Sequence, residues 1–216
     1  MSTDTRSPIT SINQIAPLRI IPVLTITDIK HVDAIANAVL ECGIQNVEVT
    51  LRTDVSLAAI EAFAKHPNLV VGVGSVKNSS DLSRAVDAGA TFAVSPGYLK
   101  EIGEVAKKLN VFYLPGVATS TEIMRALSDG FNLLKFFPAE QLGGVQMLKA
   151  IAPVFPAVQF IPTGGMNSEN IDTYLAHPSV VAVGGSWMLG KTIDLNDKVA
   201  VSLAVSTALK KISSPK

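Results

Sequence analysis

The sequence predicts an α/β fold: a (β/α)8 TIM barrel with an N-terminal helical extension. Three observations predict it. Eight short β-branched or apolar runs recur, with starts 20 to 27 residues apart. Segments with helical spacing of apolar residues lie between them. The length of 216 residues is near the compact limit for eight strand–helix units. An open doubly wound sheet is the structural alternative. It usually carries a Gly-rich fingerprint after its first strand, and "VLTITDIKH" carries none.

The expected strands are "RIIPVLTI" from residue 19, "NVEVTL" from 46, "NLVVGVGS" from 68 and "TFAVSP" from 91. "VFYLPGV" from 111, "NLLKFFPA" from 132, "VQFIPTGG" from 158 and "SVVAVGGS" from 179 complete the set. Between them, "DIKHVDAIANAVLECG" takes Asp28 as an N-cap and Gly43 as a stop. "SSDLSRAVDAGA" and "STEIMRALSDGF" repeat the scheme, opening on Ser and closing on Gly89 and Gly130. Strands alternating with helices imply parallel pairing and right-handed crossovers. No linker, low-complexity tract or charge block interrupts the series. The expectation is one domain over 1–216, with the barrel at about 19–190. Residues before 18 and the helical "DLNDKVAVSLAVSTALKKI" are additions to it.

Composition narrows the function classes. Lys+Arg and Asp+Glu balance at 18 each with no basic run, so neither a nucleic acid nor a membrane surface is an expected partner. Charged residues are 17% of the chain, against roughly 25% in typical soluble proteins, and mean hydropathy is +0.36. That shortage of charge implies surface buried against another subunit. "MSTDTRSPITSINQIAPL" lacks the apolar core of a signal peptide, and no run approaches a bilayer span, so the expected location is the cytoplasm. The one cysteine, Cys42, excludes an internal disulfide and a multi-cysteine metal site, and is expected as a buried structural thiol. His31, His66 and His177 are scattered; the last two precede prolines at helix ends. No metal and no cofactor are expected.

In a TIM barrel the chemistry sits at the C-terminal ends of the strands. Those ends carry Glu48 and Arg52, Ser75, Ser95 and Pro96, Lys135, Thr163-Gly164-Gly165, and Gly184-Gly185-Ser186. Side-chain alternation puts Val47, Val49 and Leu51 on one face, and Asn46, Glu48 and Thr50 on the other. The apolar face suits the outer helices, so Glu48 points into the barrel. Leu133, Lys135 and Phe137 share a face in the same way, and if that face is internal Lys135 meets Glu48 in one enclosed space. A buried structural ion pair is one explanation, although truncating either partner would be costly and the pair itself gains little. Covalent chemistry is the other. Desolvation favours the neutral form of an amine, and a neutral amine attacks a ketone to form an imine. An iminium is an electron sink for retro-aldol cleavage, with Glu48 as the inward proton shuttle.

"TGG" and "GGS" follow the seventh and eighth strands, where such barrels often hold phosphate. Glycine allows close approach of a backbone N–H to an anion, and a following helix N-terminus favours negative charge. Two tight turns would look the same. "GVGS" at 72–75 lacks the Gly-Lys of a P-loop and the third Gly of a dinucleotide fingerprint. Trp187, beside "GGS", is expected to pack rather than stack on a ligand.

"EVTLRT" (48–53), "SPG" (95–97), "KFFPAE" (135–140), "PTGG" (162–165) and "GGSW" (184–187) together resemble the 2-keto-3-deoxy-6-phosphogluconate aldolase family, also called 4-hydroxy-2-oxoglutarate aldolase. The similarity runs in register from about residue 19 to 189. It implies a metal-free class I lyase of the Entner–Doudoroff pathway on a (β/α)8 barrel, usually trimeric. Its reaction would cleave 2-dehydro-3-deoxy-6-phosphogluconate to pyruvate and glyceraldehyde 3-phosphate. By motif, Lys135 forms the Schiff base, Glu48 moves protons through a water, and Arg52 holds the pyruvate carboxylate. Pro96, Phe137 and Thr163 line the reacting carbons; Gly164, Gly165 and Ser186 bind phosphate. Ser75 stands where the family often has Thr, keeping the hydroxyl that would assist the carboxylate contact. Close relatives act on the galactonate epimer or on unphosphorylated 4-hydroxy-2-oxoglutarate, and the motifs do not separate these. Two other classes stay open: a sugar-phosphate isomerase or epimerase needing no imine, and a non-catalytic phosphosugar-binding barrel in which Lys135 is a counter-ion.

Overall fold

β-Branched and apolar runs form parallel strands at all eight expected places. In the computed structural model, which describes residues 9–189, 193 and 195–213, these are β1 (Ile20–Leu24), β2 (Asn46–Thr50), β3 (Val70–Gly74) and β4 (Phe92–Val94). The fifth is divided into β5 (Phe112–Leu114) and β6 (Gly116–Val117), followed by β7 (Leu133–Phe136), β8 (Gln159–Pro162) and β9 (Val183–Gly185). Pro115 makes that division, because it has no N–H to give to the ladder. The pairing order β5-β4-β3-β2-β1-β9 forms one run and β6-β7-β8 the other. Parallel bridges Phe160↔Val180 and Thr163↔Gly184 join β8 to the last strand, and the sheet closes as a barrel.

Nine helices are described: α1 (Ile12–Ile15), α2 (Val32–Glu41), α3 (Ser56–Ala64), α4 (Ser79–Asp87), α5 (Lys100–Lys108), α6 (Ser120–Ser128), α7 (Gly144–Ile151), α8 (Ile171–Leu175) and α9 (Lys198–Ser213). The expected starts are close, but the capping residues differ. Asp28 caps a 3-10 turn, Ile29–His31, that leads into α2. α4 and α6 begin at the expected serines, and the residues before them cap: Asn78 accepts from Asp81 N, and Thr119 forms a capping box with Glu122. An N-cap keeps extended dihedrals and so stands one residue outside the helix. Cys42 follows the last turn of α2 and is half-buried rather than fully buried; burial pushes its thiol up. No helix among the described residues is long and apolar enough to cross a membrane.

Alternation along each strand separates two cores. The outer one packs Val47, Val49, Val71, Val73, Leu134 and Phe136 against helix residues such as Ile35, Ile60 and Phe63. The inner one holds Ile21, Phe92, Val94, Leu114, Ile161 and Ala182 together with Ile15. Phe92 fills this space because Gly72 leaves it; a Cβ on Gly72 would fall on the ring. Ile15 of α1 is completely buried and stoppers the N-terminal end of the barrel, beneath the first residues of β3, β5 and β7. Ile15→Ala should therefore open a cavity and lower stability by about 2–5 kcal/mol. The check is a lower urea midpoint at an unchanged m-value.

Candidate active site

One step above that apolar plug lie the two ionisable groups of the barrel interior. Glu48 of β2 and Lys135 of β7 are 2% and 6% exposed. Lys135 Nζ donates to Glu48 Oε1 at 3.3 Å. Two strands put them there for the same local reason: the apolar neighbours on either side turn outward, and the charged residue between them turns in. Gly74 provides the room, since a Cβ at that position would land on the Glu48 carboxylate. The Lys135 ammonium also lies 5.4 Å from the centre of the Phe137 ring, a cation–π contact that holds the aromatic beside the amine.

The remaining expected residues form a rim around this pair. Arg52, two residues past β2, donates from Nε to Ser75 Oγ at 3.1 Å. Ser75 holds a left-handed backbone, φ 61°, at the end of β3. Pro96 is exposed, and its backbone passes so close to Gly116 that no side chain fits there. Ser95 turns away from the opening: Tyr113 donates to its Oγ at 2.9 Å, and burial pushes the phenol up to about 12. Thr163 is 6% exposed, with Oγ1 in the space that a Cβ on Gly184 would enter at 2.6 Å.

Gly164 and Gly165 adopt φ of 99° and 80°, a left-handed pair that only glycine forms without strain. Gly164 lies against Pro138 and Phe137, and Gly165 against the Glu140 stem. The expected helix N-terminus behind them is not in place. α8 starts six residues after Gly165 and is one turn long, because "MNSEN" spends its polar groups on local turns: Asn167 and Asn170 side chains accept backbone N–H groups. After exposed Ser186 comes a 3-10 turn, Trp187–Leu189. An anion at this end would be met by turn amides and a hydroxyl. Trp187 packs on the outer core, as expected from its neighbours.

Several partners escaped the sequence. Thr50 Oγ1 donates to Leu24 O at 2.9 Å, and Thr25 Oγ1 lies 2.9 Å from Thr50 Oγ1. The alternation that Thr50 shares with Glu48 was the available signal. Tyr174 of α8 donates to Glu140 Oε1, linking "KFFPAE" to the helix after β8; burial raises this phenol. Nothing local signals a contact across 34 residues. His66 bonds Asp33, His177 bonds Ser179 and His31 bonds Asn196, each away from the pair. Among the described residues no three His, Cys, Asp or Glu are grouped as metal ligands.

The aldolase family model for KDPG and KHG aldolase matches residues 11–203. The 2-dehydro-3-deoxy-phosphogluconate aldolase of Zymomonas mobilis is 42% identical over 181 residues, covering 84% of this chain and 86% of that protein. A crystal structure of the 2-keto-3-deoxy-6-phosphogluconate aldolase of Zymomonas mobilis with 3-phosphoglycerate superposes with a TM-score of 0.85 at 38% identity, covering 91% and 92% of the two chains. KDPG aldolase from Legionella pneumophila, with pyruvate captured as a covalent carbinolamine, gives 0.84 at 38% identity over 88% and 93%. The closeness of Gly74 to Glu48 generates one prediction. Gly74→Ala should displace the carboxylate and lengthen the 3.3 Å contact in a crystal structure of the variant, with the fold intact. Any reaction that uses the pair should then slow by about 10²-fold.

Proposed function

The chain belongs to the KDPG and KHG aldolase family, and on that premise we propose that it is a class I aldolase acting through a Schiff base on Lys135. Its substrate is 2-dehydro-3-deoxy-6-phosphogluconate, cleaved to pyruvate and glyceraldehyde 3-phosphate; 4-hydroxy-2-oxoglutarate, giving pyruvate and glyoxylate, is a secondary substrate. The observation that carries the proposal is the buried amine 3.3 Å from a buried carboxylate. In an isomerase or a binding module that pairing would be a structural ion pair alone, whereas the pyruvate carbinolamine of the Legionella pneumophila relative supports covalent chemistry here.

In the proposed sequence Glu48 takes a proton from Lys135, and the free amine adds to the C2 carbonyl. The carbinolamine hydroxyl takes that proton back from Glu48 and leaves as water, giving the iminium. A base removes the C4 hydroxyl proton, with Glu48 acting through a water; the C3–C4 bond breaks, the aldehyde leaves, and the bonding pair ends in an enamine. Protonation at C3 and hydrolysis release pyruvate and restore the amine. Arg52 holds the substrate carboxylate. Its Nε is occupied by Ser75, which leaves the two terminal NH2 groups as a fork for the oxygens. Pro96, Phe137 and Thr163 line the reacting carbons, and Gly164, Gly165 and Ser186 receive the phosphate. A cytoplasmic homotrimer completes the proposal, supported by the low charge content and by exposed Met124, Val154, Val199 and Leu203.

Borohydride reduction in the presence of pyruvate tests the imine. The expected result is a single pyruvyl adduct on Lys135; an adduct elsewhere, or none, sinks the assignment. Glu48→Gln should fold and turn over roughly 10² to 10⁴-fold more slowly, the usual contribution of a positioned acid–base group. The phosphate contacts predict a preference. kcat/KM should favour the phosphorylated six-carbon substrate over 4-hydroxy-2-oxoglutarate. Ser186→Ala should reduce that ratio moderately, and Gly164→Val should erase most of it, since a branched side chain enters the left-handed turn. A wild type without preference would refute the phosphate assignment and leave the Schiff base standing.

A further inference from the structure

Two threonines at the mouth of the barrel carry a directional hydrogen-bond chain that the reaction above does not use. Thr25 follows the last residue of β1 and continues the inward face of Ile21 and Val23. It pairs in position with Thr50, as Val23 does with Glu48. Thr50 is 1% exposed and Thr25 is open to the mouth. A threonine hydroxyl has one proton, and a carbonyl oxygen only accepts. Thr50 therefore spends its proton on Leu24 O at 2.9 Å. The 2.9 Å contact between the hydroxyls must then be donated by Thr25. No other hydrogen bond of the Thr25 side chain occurs among the described residues. Its oxygen is left with lone pairs only, facing the opening, two positions above Glu48.

Such an oxygen discriminates by class. It repels carboxylate and phosphate oxygens, which are also acceptors, and it welcomes a hydroxyl. We propose that Thr25, oriented by Thr50, is a specificity-determining residue that accepts a hydrogen bond from a hydroxyl on the aldehyde-derived half of the substrate. The proposal rests on the aldolase function above. Thr50 is its positioning residue. The pyruvate half offers no hydroxyl, so the two halves of the reaction separate the roles.

Two assays on the full-length protein make the test. One is cleavage of the phosphorylated six-carbon substrate. The other is exchange of pyruvate methyl protons with solvent deuterium, followed by NMR, which needs the imine and a proton shuttle but no aldehyde. Thr25→Val keeps shape and removes the hydroxyl. It should lower kcat/KM for cleavage by roughly 3- to 10-fold, the scale of one neutral hydrogen bond, while exchange continues at the wild-type rate. Thr25→Ser should restore most of the loss. Undiminished cleavage by Thr25→Val overturns the proposal. So does an equal fall in exchange, which would mean that the hydroxyl acts on Glu48 or on the fold, and so does failure of Thr25→Ser to rescue. Absence of exchange in the wild type would instead remove the aldolase function itself, and this proposal with it.

Discussion

The contact between Lys135 and Glu48 is the constraint around which the barrel is arranged. Two opposite charges at 3.3 Å, 6% and 2% exposed, have given up most of their hydration. Their mutual attraction does little more than offset that loss, whereas removing one partner strands the other at a cost of about 3–5 kcal/mol. A pair of hydrophobic residues would fill the same space more cheaply. The surroundings nevertheless give way to it: Gly74 has no side chain where the carboxylate lies, and Phe137 offers its ring to the ammonium. A chain that folds around such a pair gives up stability to keep it.

That expense is met in the lower half of the barrel. Ile15, Ile21, Phe92, Leu114 and Ile161 make a plug without ionisable groups, and α1 seals it from beneath. Because the plug fixes strand positions, residues one and two steps further along each strand inherit defined positions. Val23 and Glu48 lie side by side, as do Lys135 and Ile161. Precision at the upper end thus derives from close packing at the lower end.

What the sequence made legible follows the same division. Strands, outer helices and the inward turn of Glu48 and Lys135 are local consequences of apolar spacing, and they could be read without a structure. The capping side chains of α4 and α6, Asn78 and Thr119, stand one residue before the serines on which these helices open, because an N-cap lies outside the first turn. Beyond the meeting of Lys135 with Glu48, contacts between elements were not legible. Arg52 on Ser75, Tyr174 on Glu140 and Thr25 on Thr50 depend on strand register and helix placement, which no short window of residues encodes. The short α8 was hidden for a related reason. "MNSEN" contains good capping residues, but its asparagines satisfy successive loop amides and delay the helix.

The rim has a further chemical logic in how it treats charge. Arg52 is the cation two residues past β2, with its Nε already committed to Ser75. "TGG" and "GGS" carry no lysine or arginine, so an anion at that end is met by amides and one hydroxyl. A second cation beside the glycines would bind either anionic end of a substrate and allow it to lie in reverse. Neutral donors at one end and a guanidinium fork at the other impose a polarity, since bidentate geometry favours a planar carboxylate. The acceptor-only oxygen of Thr25 acts in the same direction, because a misplaced phosphate or carboxylate near it meets lone pairs. On the proposed function, orientation is then set before any bond is made, and Lys135 would meet the carbonyl carbon rather than the far end of the chain.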